Sequence, residues 1–228
     1  MPPHTMNHRE NCRTARRGTP ATSADQFQLP PARPRTTQQD LERLINTLNV
    51  LQISGWYHGA MTFREAKQKL KGCSNGTFLV RDSSDDRYLY ALSVKTPRGT
   101  TSVRIEYEDG LFMLDTEECL RRSVPSFDCV IKLLQYYIRM SREKNCVDAN
   151  GNSSTIKPKT RSGHLVWLER SGRKDTEAQI IKPLTSNVPS LQHLCRCTIN
   201  RTVEPRFIND LSIPRTLKKY VQEYPYSL

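Results

Sequence analysis

An arginine at the end of a short apolar run is the side chain whose setting most clearly suggests chemistry. Arg81 ends the run at residues 77–81, and on an extended strand it shares a face with Leu79, which predicts partial burial. A guanidinium keeps its charge when buried and can form two hydrogen bonds to one phosphate group. Ser83 and Ser84 follow directly, and their hydroxyl and backbone N–H groups can donate to further oxygens. Together these groups could bind a phosphate; the alternative is that Arg81 is an ordinary strand-end arginine in a surface contact.

A second set of residues, near the C-terminus, has the spacing of a helical stripe. Leu191, Cys195 and Ile199 recur every four residues, and Leu194 lies beside them. Such a stripe can contact a partner protein, or it can pack against the core of its own chain. The periodicity alone leaves both interpretations open.

Two residues in this stretch have the spacing of a known catalytic motif. Cys195 and Arg201 have the C-x5-R spacing of tyrosine phosphatases, but Leu194 stands where a His is needed and no glycine lies between them. Without glycines, the backbone N–H groups cannot converge on a phosphate. No paired carboxylates, nucleophile–base set or phosphate-binding glycine loop stands out elsewhere. We therefore expect a protein that is not an enzyme and that uses no cofactor and no metal.

The elements around Arg81 have an α+β pattern. Residues 38–53 predict a helix, because apolar residues recur at helical spacing: Leu41, Leu44, Ile45, Leu48 and Leu51. Thr62 and Glu65 fit a capping box that opens a short helix to about residue 71. Strands are expected at residues 77–81, 88–95, 101–107 and 111–114, the last two joined by a hairpin turn at Asp109 and Gly110. Adjacent strands with short turns predict an antiparallel sheet flanked by helices.

The second half of the chain is less regular. Residues 127–140 predict a helix capped by Ser126, residues 141–163 a loop or linker, and residues 164–168 a short strand. Pro214 opens a last helix in its first turn. The C-terminal piece of fewer than about 50 residues is too small for a core of its own, so we expect it to pack on the preceding domain or on a partner.

Composition narrows the classes of protein. The net charge is +12, which suits nucleic acid, a membrane surface or phosphorylated ligands. The basic residues are spread along the chain without a clustered face, so we expect no nucleic-acid partner. Residues 1–36 are rich in Pro, Thr and Arg with few large apolar side chains, and they are expected to be disordered.

The seven cysteines are an odd number without a C-x-x-C pair, which argues against a zinc site or a disulfide framework. The first residues lack the apolar core of a signal peptide, and no run is long enough to span a membrane. We therefore expect a cytoplasmic protein without membrane insertion.

Three segments carry a resemblance to a known domain. WYHG at residues 56–59 and GTFLVRDSS at residues 76–84 resemble the opening and the signature strand of SH2 domains, and FDCV at residues 127–130 resembles the start of their second helix. The resemblance implies phosphotyrosine binding by Arg81, Ser83, Ser84 and Arg104. One departure is that Phe63, with Arg64 beside it, stands where many SH2 domains have an arginine.

The C-terminal stripe resembles the elongin-binding part of a SOCS box. The resemblance implies that Leu191, Leu194, Cys195 and Ile199 bind elongin. Leu211, Ile213 and Pro214 resemble the cullin-binding motif, which usually reads Leu-Pro-apolar-Pro, and Ser212 replaces its first Pro.

Together the two domains are similar to the suppressor of cytokine signalling (SOCS) family, and most of all to its CIS-like subgroup. The resemblance divides the chain into a disordered tail (1–36), an extension helix (37–55), an SH2 domain (56–168), a linker or insertion (169–181) and a SOCS box (182–228). It implies a negative regulator of JAK–STAT signalling whose partners are tyrosine-phosphorylated cytokine receptors, elongins B and C, and cullin-5. The alternative is a plain SH2 adaptor that blocks docking without recruiting a ligase.

Overall fold

The computed structural model describes residues 6–9, 37–145, 164–167, 176–177 and 179–227 of the chain. Its α-helices are α1 (Thr37–Ser54), α2 (Phe63–Lys69), α3 (Val130–Asn145), α4 (Leu191–Thr202) and α5 (Arg215–Gln222). Its strands are β1 (Met6–Arg9), β2 (Thr77–Asp82), β3 (Tyr90–Thr96), β4 (Gly99–Glu108), β5 (Leu111–Leu114), β6 (His164–Trp167), β7 (Thr176–Glu177) and β8 (Lys182–Pro183). Short 3-10 helices cover Glu118–Ser123 and Pro205–Asp210.

The main sheet has the strand order β5-β4-β3-β2-β8. Strands β2 to β5 are antiparallel, as predicted, whereas β8 runs parallel to the start of β2. The turn between β4 and β5 has positive φ at both central residues, 49° at Asp109 and 72° at Gly110. This left-handed turn matches the twist of the two strands, which explains the tight hairpin.

Helices cover both faces of the sheet. Phe78 and Val80 of β2 face the larger core, which includes residues of α1 and α3, while Leu79 packs with Ala66 and Leu70 of α2 on the other face. The capping box at the start of α2 is present, with Thr62 and Glu65 bonded to each other's backbone. The alternation predicted for β2 is therefore confirmed, and it places Arg81 on the α2 face.

The C-terminal helices share the larger core. Cys197 of α4, together with Tyr224 and Tyr226, belongs to the same cluster as Val130 and Ile131 of α3. The hydroxyl of Tyr226 donates to the Cys129 sulfur at 3.3 Å. The C-terminal piece thus packs on the preceding domain, as its small size predicted.

Helix α3 starts and ends later than predicted. Ser126 is not its cap, because Phe127 pairs with Phe112 through two backbone hydrogen bonds of 2.6 and 2.9 Å. This pairing holds Phe127 extended and delays the helix until Val130. The helix then continues to Asn145, so the first residues of the predicted loop at 141–163 are helical, and residues 146–163 lie outside the described part.

Two further expectations need correction. Residues 1–36 were expected to be disordered, but Met6–Arg9 forms a strand antiparallel to His164–Trp167, since backbone pairing can order a segment that has little core of its own. The rest of that tail lies outside the described residues. The expected linker at 169–181 also ends in the core: Ile180 is 1% exposed, and its N–H donates to Ser141 Oγ at 3.0 Å.

The buried face of helix α1 differs from the apolar stripe that the sequence predicts. Leu51 and Thr47 are buried, whereas Leu41 and Ile45 are about half exposed. Leu44 packs against the larger core.

Candidate functional site

Arg81 is buried, with 2% of its surface exposed, and its hydrogen-bond partners are neutral oxygens. Nε donates to Ser93 Oγ at 3.2 Å, and Nη1 donates to the carbonyls of Asp82 at 2.9 Å and Met61 at 3.3 Å. Ser93 Oγ is bonded in turn to Ser102 Oγ at 2.7 Å. Burial lowers the pKa of the guanidinium from its usual value, and the nearby Asp82 carboxylate opposes that shift. The group is thus anchored through Nε and Nη1, and no described residue accepts a hydrogen bond from Nη2.

Arg104 lies in the same cross-strand row as Arg81. Arg81 pairs with Ala91 on β3, and Ala91 pairs with Arg104 on β4, so the three side chains share one face of the sheet. Two interstrand steps separate the arginines, or about 10 Å between Cα atoms. The small Ala91 side chain leaves space between them.

Arg104 already has two carboxylate partners. Its Nη2 lies 2.9 Å from Asp85 Oδ2, and its Nη1 lies 3.6 Å from Asp115 Oδ2. Its guanidinium carbon also lies 4.9 Å from the centre of the Tyr88 ring. Arg104, predicted as the second cation, thus lies on the same face of the sheet as Arg81, but it is paired within the chain.

The two predicted serines have different roles in the loop after β2. Ser84 Oγ accepts a hydrogen bond from Arg81 Nη1 at 3.4 Å. Ser83 Oγ accepts from the Asp85 N–H at 3.1 Å, and the Ser83 N–H donates to the carbonyl of Leu89. Ser84 thus contacts the arginine directly, while Ser83 stabilises the loop.

Sequence reasoning missed two residues of this site. Ser93 holds Arg81 in place, and its signal is a hydroxyl in the middle of the apolar strand β3. Asp85, which pairs with Arg104, lies in a polar turn and has no comparable signal, because its contact depends on the loop's path. Phe63, at the position that departs from the SH2 pattern, is half-buried at the start of α2, and Arg64 beside it is exposed.

The predicted stripe of α4 faces outward. Leu191 is 77% exposed and Leu194 is 49% exposed; Cys195 is exposed and Ile199 is partly buried. The opposite face of α4 is buried through His193, Arg196 and Cys197. The helix therefore packs on its own chain through its more polar face and leaves its apolar stripe uncovered.

Polar contacts explain how that face can be buried. Arg196 lies over the rings of Tyr220 at 4.2 Å and Tyr224 at 4.9 Å, and its Nη2 donates to His193 Nδ1 at 2.8 Å. Asn200 Nδ2 donates to the carbonyl of Tyr224 at 2.6 Å. Because these groups are matched to aromatic faces and carbonyls, burying them does not require apolar side chains.

The predicted cullin-binding residues lie between the second 3-10 helix and α5. Leu211 and Ile213 are partly buried and Pro214 is exposed, as is Ser212. Pro214 directly precedes α5, and its carbonyl accepts from the N–H groups of Leu217 and Lys218.

Within the described parts of the chain, no group of His, Cys, Asp or Glu side chains is arranged to hold a metal ion. The same parts contain no helix long and apolar enough to cross a membrane.

Comparison with known families defines the class of the protein. The family model for the SH2 domain matches residues 56–137, and the model for the SOCS box matches residues 187–222. The chain is therefore an SH2 domain followed by a SOCS box. Among solved structures, the SH2 domain of human VAV1 aligns with 58% of this chain and 79% of its own, with 22% identity and a TM-score of 0.33.

Curated relatives extend the match across most of the chain. Human "Suppressor of cytokine signaling 2" is 40% identical over 186 residues, which cover 82% of this chain and 83% of the relative. The chicken (Gallus gallus) "Cytokine-inducible SH2-containing protein" is 37% identical and covers 85% of this chain and 75% of its own. This chain belongs to the suppressor of cytokine signalling family.

Proposed function

We propose that this chain binds phosphotyrosine on activated cytokine receptors through Arg81 and Ser84, with Ser83 shaping the loop and Arg104 as a second cation. Through α4 it then recruits elongins B and C, and through Leu211, Ile213 and Pro214 it recruits cullin-5. It acts as a non-catalytic adaptor that suppresses JAK–STAT signalling in the cytoplasm, by masking receptor docking sites and by delivering the receptor to a ubiquitin ligase. The names of its relatives support the regulatory role.

The observation that carries the first half is the setting of Arg81. It is a buried cation whose hydrogen-bond partners are all neutral oxygens. A buried charge is costly without a counter-ion, and a bound phosphate dianion supplies one. Because Arg81 is 2% exposed, the long, rigid side chain of a phosphotyrosine suits this cation better than the short side chain of a phosphoserine.

The uncovered stripe of α4 supports the second half. Leu191 lies in the first turn of α4 with 77% of its surface exposed to water. Burial of this side chain by a partner is favourable by about 1.5–3 kcal/mol. The alternative in which the stripe packs on this chain's own core disagrees with that exposure.

A phosphopeptide titration tests phosphotyrosine binding. We expect Arg81→Lys to weaken binding of the tightest peptide from a phosphotyrosine array by about 2–5 kcal/mol, because a point charge replaces a two-pronged donor. Isothermal calorimetry measures the change, and an unaltered affinity would rule out Arg81 as the phosphate ligand.

Co-purification with elongins B and C tests the stripe. Leu191→Asp places an acid in the first turn of α4, which favours the helix but removes the apolar contact. Gln192→Glu adds the same charge one residue away and serves as the control. We expect only Leu191→Asp to lose the elongins. If neither wild type nor control retains them, the chain is a plain SH2 adaptor.

A further inference from the structure

The loop after β2 connects the two arginines of the proposed site. Ser84 Oγ accepts from Arg81 Nη1 at 3.4 Å, and the next residue, Asp85, places Oδ2 2.9 Å from Arg104 Nη2. Two consecutive residues of one loop therefore contact the two arginines. The loop is itself internally bonded, since the Tyr88 N–H donates to the Asp85 carbonyl at 3.0 Å.

In this arrangement, neighbouring carboxylates largely balance the positive charge of Arg104. Its side chain is 15% exposed, and Asp85 and Asp115 face it with two carboxylates. Its Nε is buried without an acceptor among the described residues. A phosphate approaching Arg104 meets a cation that is already neutralised.

Asp85 is a strong competitor because it stays ionised. Hydrogen bonds from Arg87, with a smaller contribution from Arg104, lower the pKa of the Asp85 carboxyl to about 2. The carboxylate is thus fully charged at any pH at which a phosphotyrosine would bind.

We propose that Asp85 is an internal competitor for Arg104, which a phosphotyrosine must displace before both arginines can hold its phosphate. The inference rests on the proposed phosphotyrosine binding and adds a determinant of its affinity. Ligand binding exchanges the Asp85 carboxylate on Arg104 for a phosphate oxygen. No covalent bond changes.

The chain provides a second partner for the displaced carboxylate. Arg87 Nε donates to Asp85 Oδ1 at 3.0 Å, and Arg87 Nη2 donates to Oδ2 at 2.9 Å. Because the Arg87 side chain is 76% exposed, it can follow the loop as the loop moves. Asp85 therefore does not become an unpaired charge when it leaves Arg104. This lowers the free-energy cost of the exchange, and a phosphate dianion carries more charge than the carboxylate that it replaces.

Neutralising the carboxylate tests this competition. Asp85→Asn keeps an oxygen for the Arg87 N–H but removes the charge that faces Arg104. We expect the full-length Asp85→Asn chain to bind phenyl phosphate about three- to fivefold more tightly than wild type, as followed by NMR titration, because the ligand no longer displaces an ion pair. Asp86→Asn removes the same charge from the adjacent exposed residue and serves as the matched control, with a change of less than about twofold, since exposed charges are screened.

A second pair of variants links the gain to Arg104. In an Arg104→Met background, Asp85→Asn should bring no gain, because the competed group is absent. Equal affinities for wild type, Asp85→Asn and Asp86→Asn would overturn the proposal, as would a gain that persists without Arg104. Failure of the proposed function itself looks different: wild type then binds no phenyl phosphate, or binds it equally well after Arg81→Lys. Thermal melting of each variant verifies that it is folded.

Discussion

At the scale of single residues, Gly76 joins the sheet to the C-terminal part of the chain. Its φ is +80°, its N–H donates to the Lys95 carbonyl, and its carbonyl accepts from the Ile181 N–H, each at 2.8 Å. A Cβ built on Gly76 would lie 2.5 Å from Ile181 Cγ1. The residue is thus glycine for two reasons, its backbone conformation and the close approach of Ile181.

These two reasons can be separated by mutation. Gly76→Ala should lower the free energy of unfolding by about 2–4 kcal/mol, the sum of a left-handed alanine and a displaced Ile181. Gly72→Ala has a similar φ of +85° with open space around its Cβ, so it should cost only about 1 kcal/mol. Urea denaturation measures both. Equal losses would mean that the contact with Ile181 contributes nothing.

The sequence identifies some site residues and not others, for a physical reason. Arg81 is predictable, because strand alternation decides which face it shares. Ser84 is its near neighbour in sequence. The pairing of Arg104 with Asp85 is not predictable, because it joins a strand to a loop whose path is set by the bonds of Ser83 and Tyr88.

At the scale of elements, α4 shows why a helical stripe does not by itself indicate a core. The apolar residues of α4 are uncovered, and its buried side consists of His193, Arg196 and Cys197, which are packed with Tyr220 and Tyr224. The periodicity predicts the helix correctly, but it does not show which side of the helix packs against the rest of the chain. The late start of α3 has a similar cause, since the backbone pairing of Phe127 with Phe112 overrides the helical pattern.

The segment before α5 allows a prediction about cullin recruitment. Leu211 has φ −63° and ψ 138°, an extended conformation that a following proline requires. The conformation of Leu211 therefore accepts a proline at the next position, and Ser212→Pro restores the usual family pattern. We expect it to increase cullin-5 capture by the elongin-bound protein several-fold, because the proline restricts the segment that the cullin contacts before binding.

Ser212→Ala is the control for that experiment, because it removes the hydroxyl without restricting the backbone. Quantitative pull-down with purified cullin-5 measures both variants. A gain that Ser212→Ala reproduces would assign the effect to the hydroxyl and contradict the role of the proline ring.

At the scale of the whole molecule, the start of the SH2 domain contacts the segment that leads into the SOCS box, across a long stretch of sequence. His58, near the start of the SH2 domain, has its Nε2 2.9 Å from the carbonyl of Leu184, and its Nδ1 lies 3.3 Å from Lys69 Nζ. With Lys69 donating to Nδ1, a neutral ring with its proton on Nε2 satisfies both contacts. Burial lowers the pKa of His58, and burial likewise lowers that of His193 in α4.

Lowering the pH should therefore decrease the free energy of unfolding. Since the folded pKa of each histidine lies below the unfolded value of about 6.5, the unfolded chain binds more protons as the pH falls through that value, and stability decreases. Each histidine contributes at most about 1.4 kcal/mol per pH unit. His58→Gln keeps a donor for Leu184 and should flatten the decrease between about pH 7 and pH 5. Urea denaturation at several pH values measures the slope, and an unchanged slope would exclude His58 as a contributor.

The parallel strand β8 has a consequence for how the two ends of the molecule work together. Only residues 184–186 separate β8 from the SOCS box match, and they too are fixed: the Leu184 N–H donates to Phe78 at 2.6 Å and the Ser186 N–H to Gly55 at 2.8 Å. Arg81 lies three residues beyond Phe78 on the same strand. If Arg81 binds the receptor and α4 binds the elongins as proposed, these two sites are held at a fixed distance from each other. Which lysines of the receptor receive ubiquitin would then depend on their distance from the phosphotyrosine, and a flexible insertion after Pro183 would widen that choice.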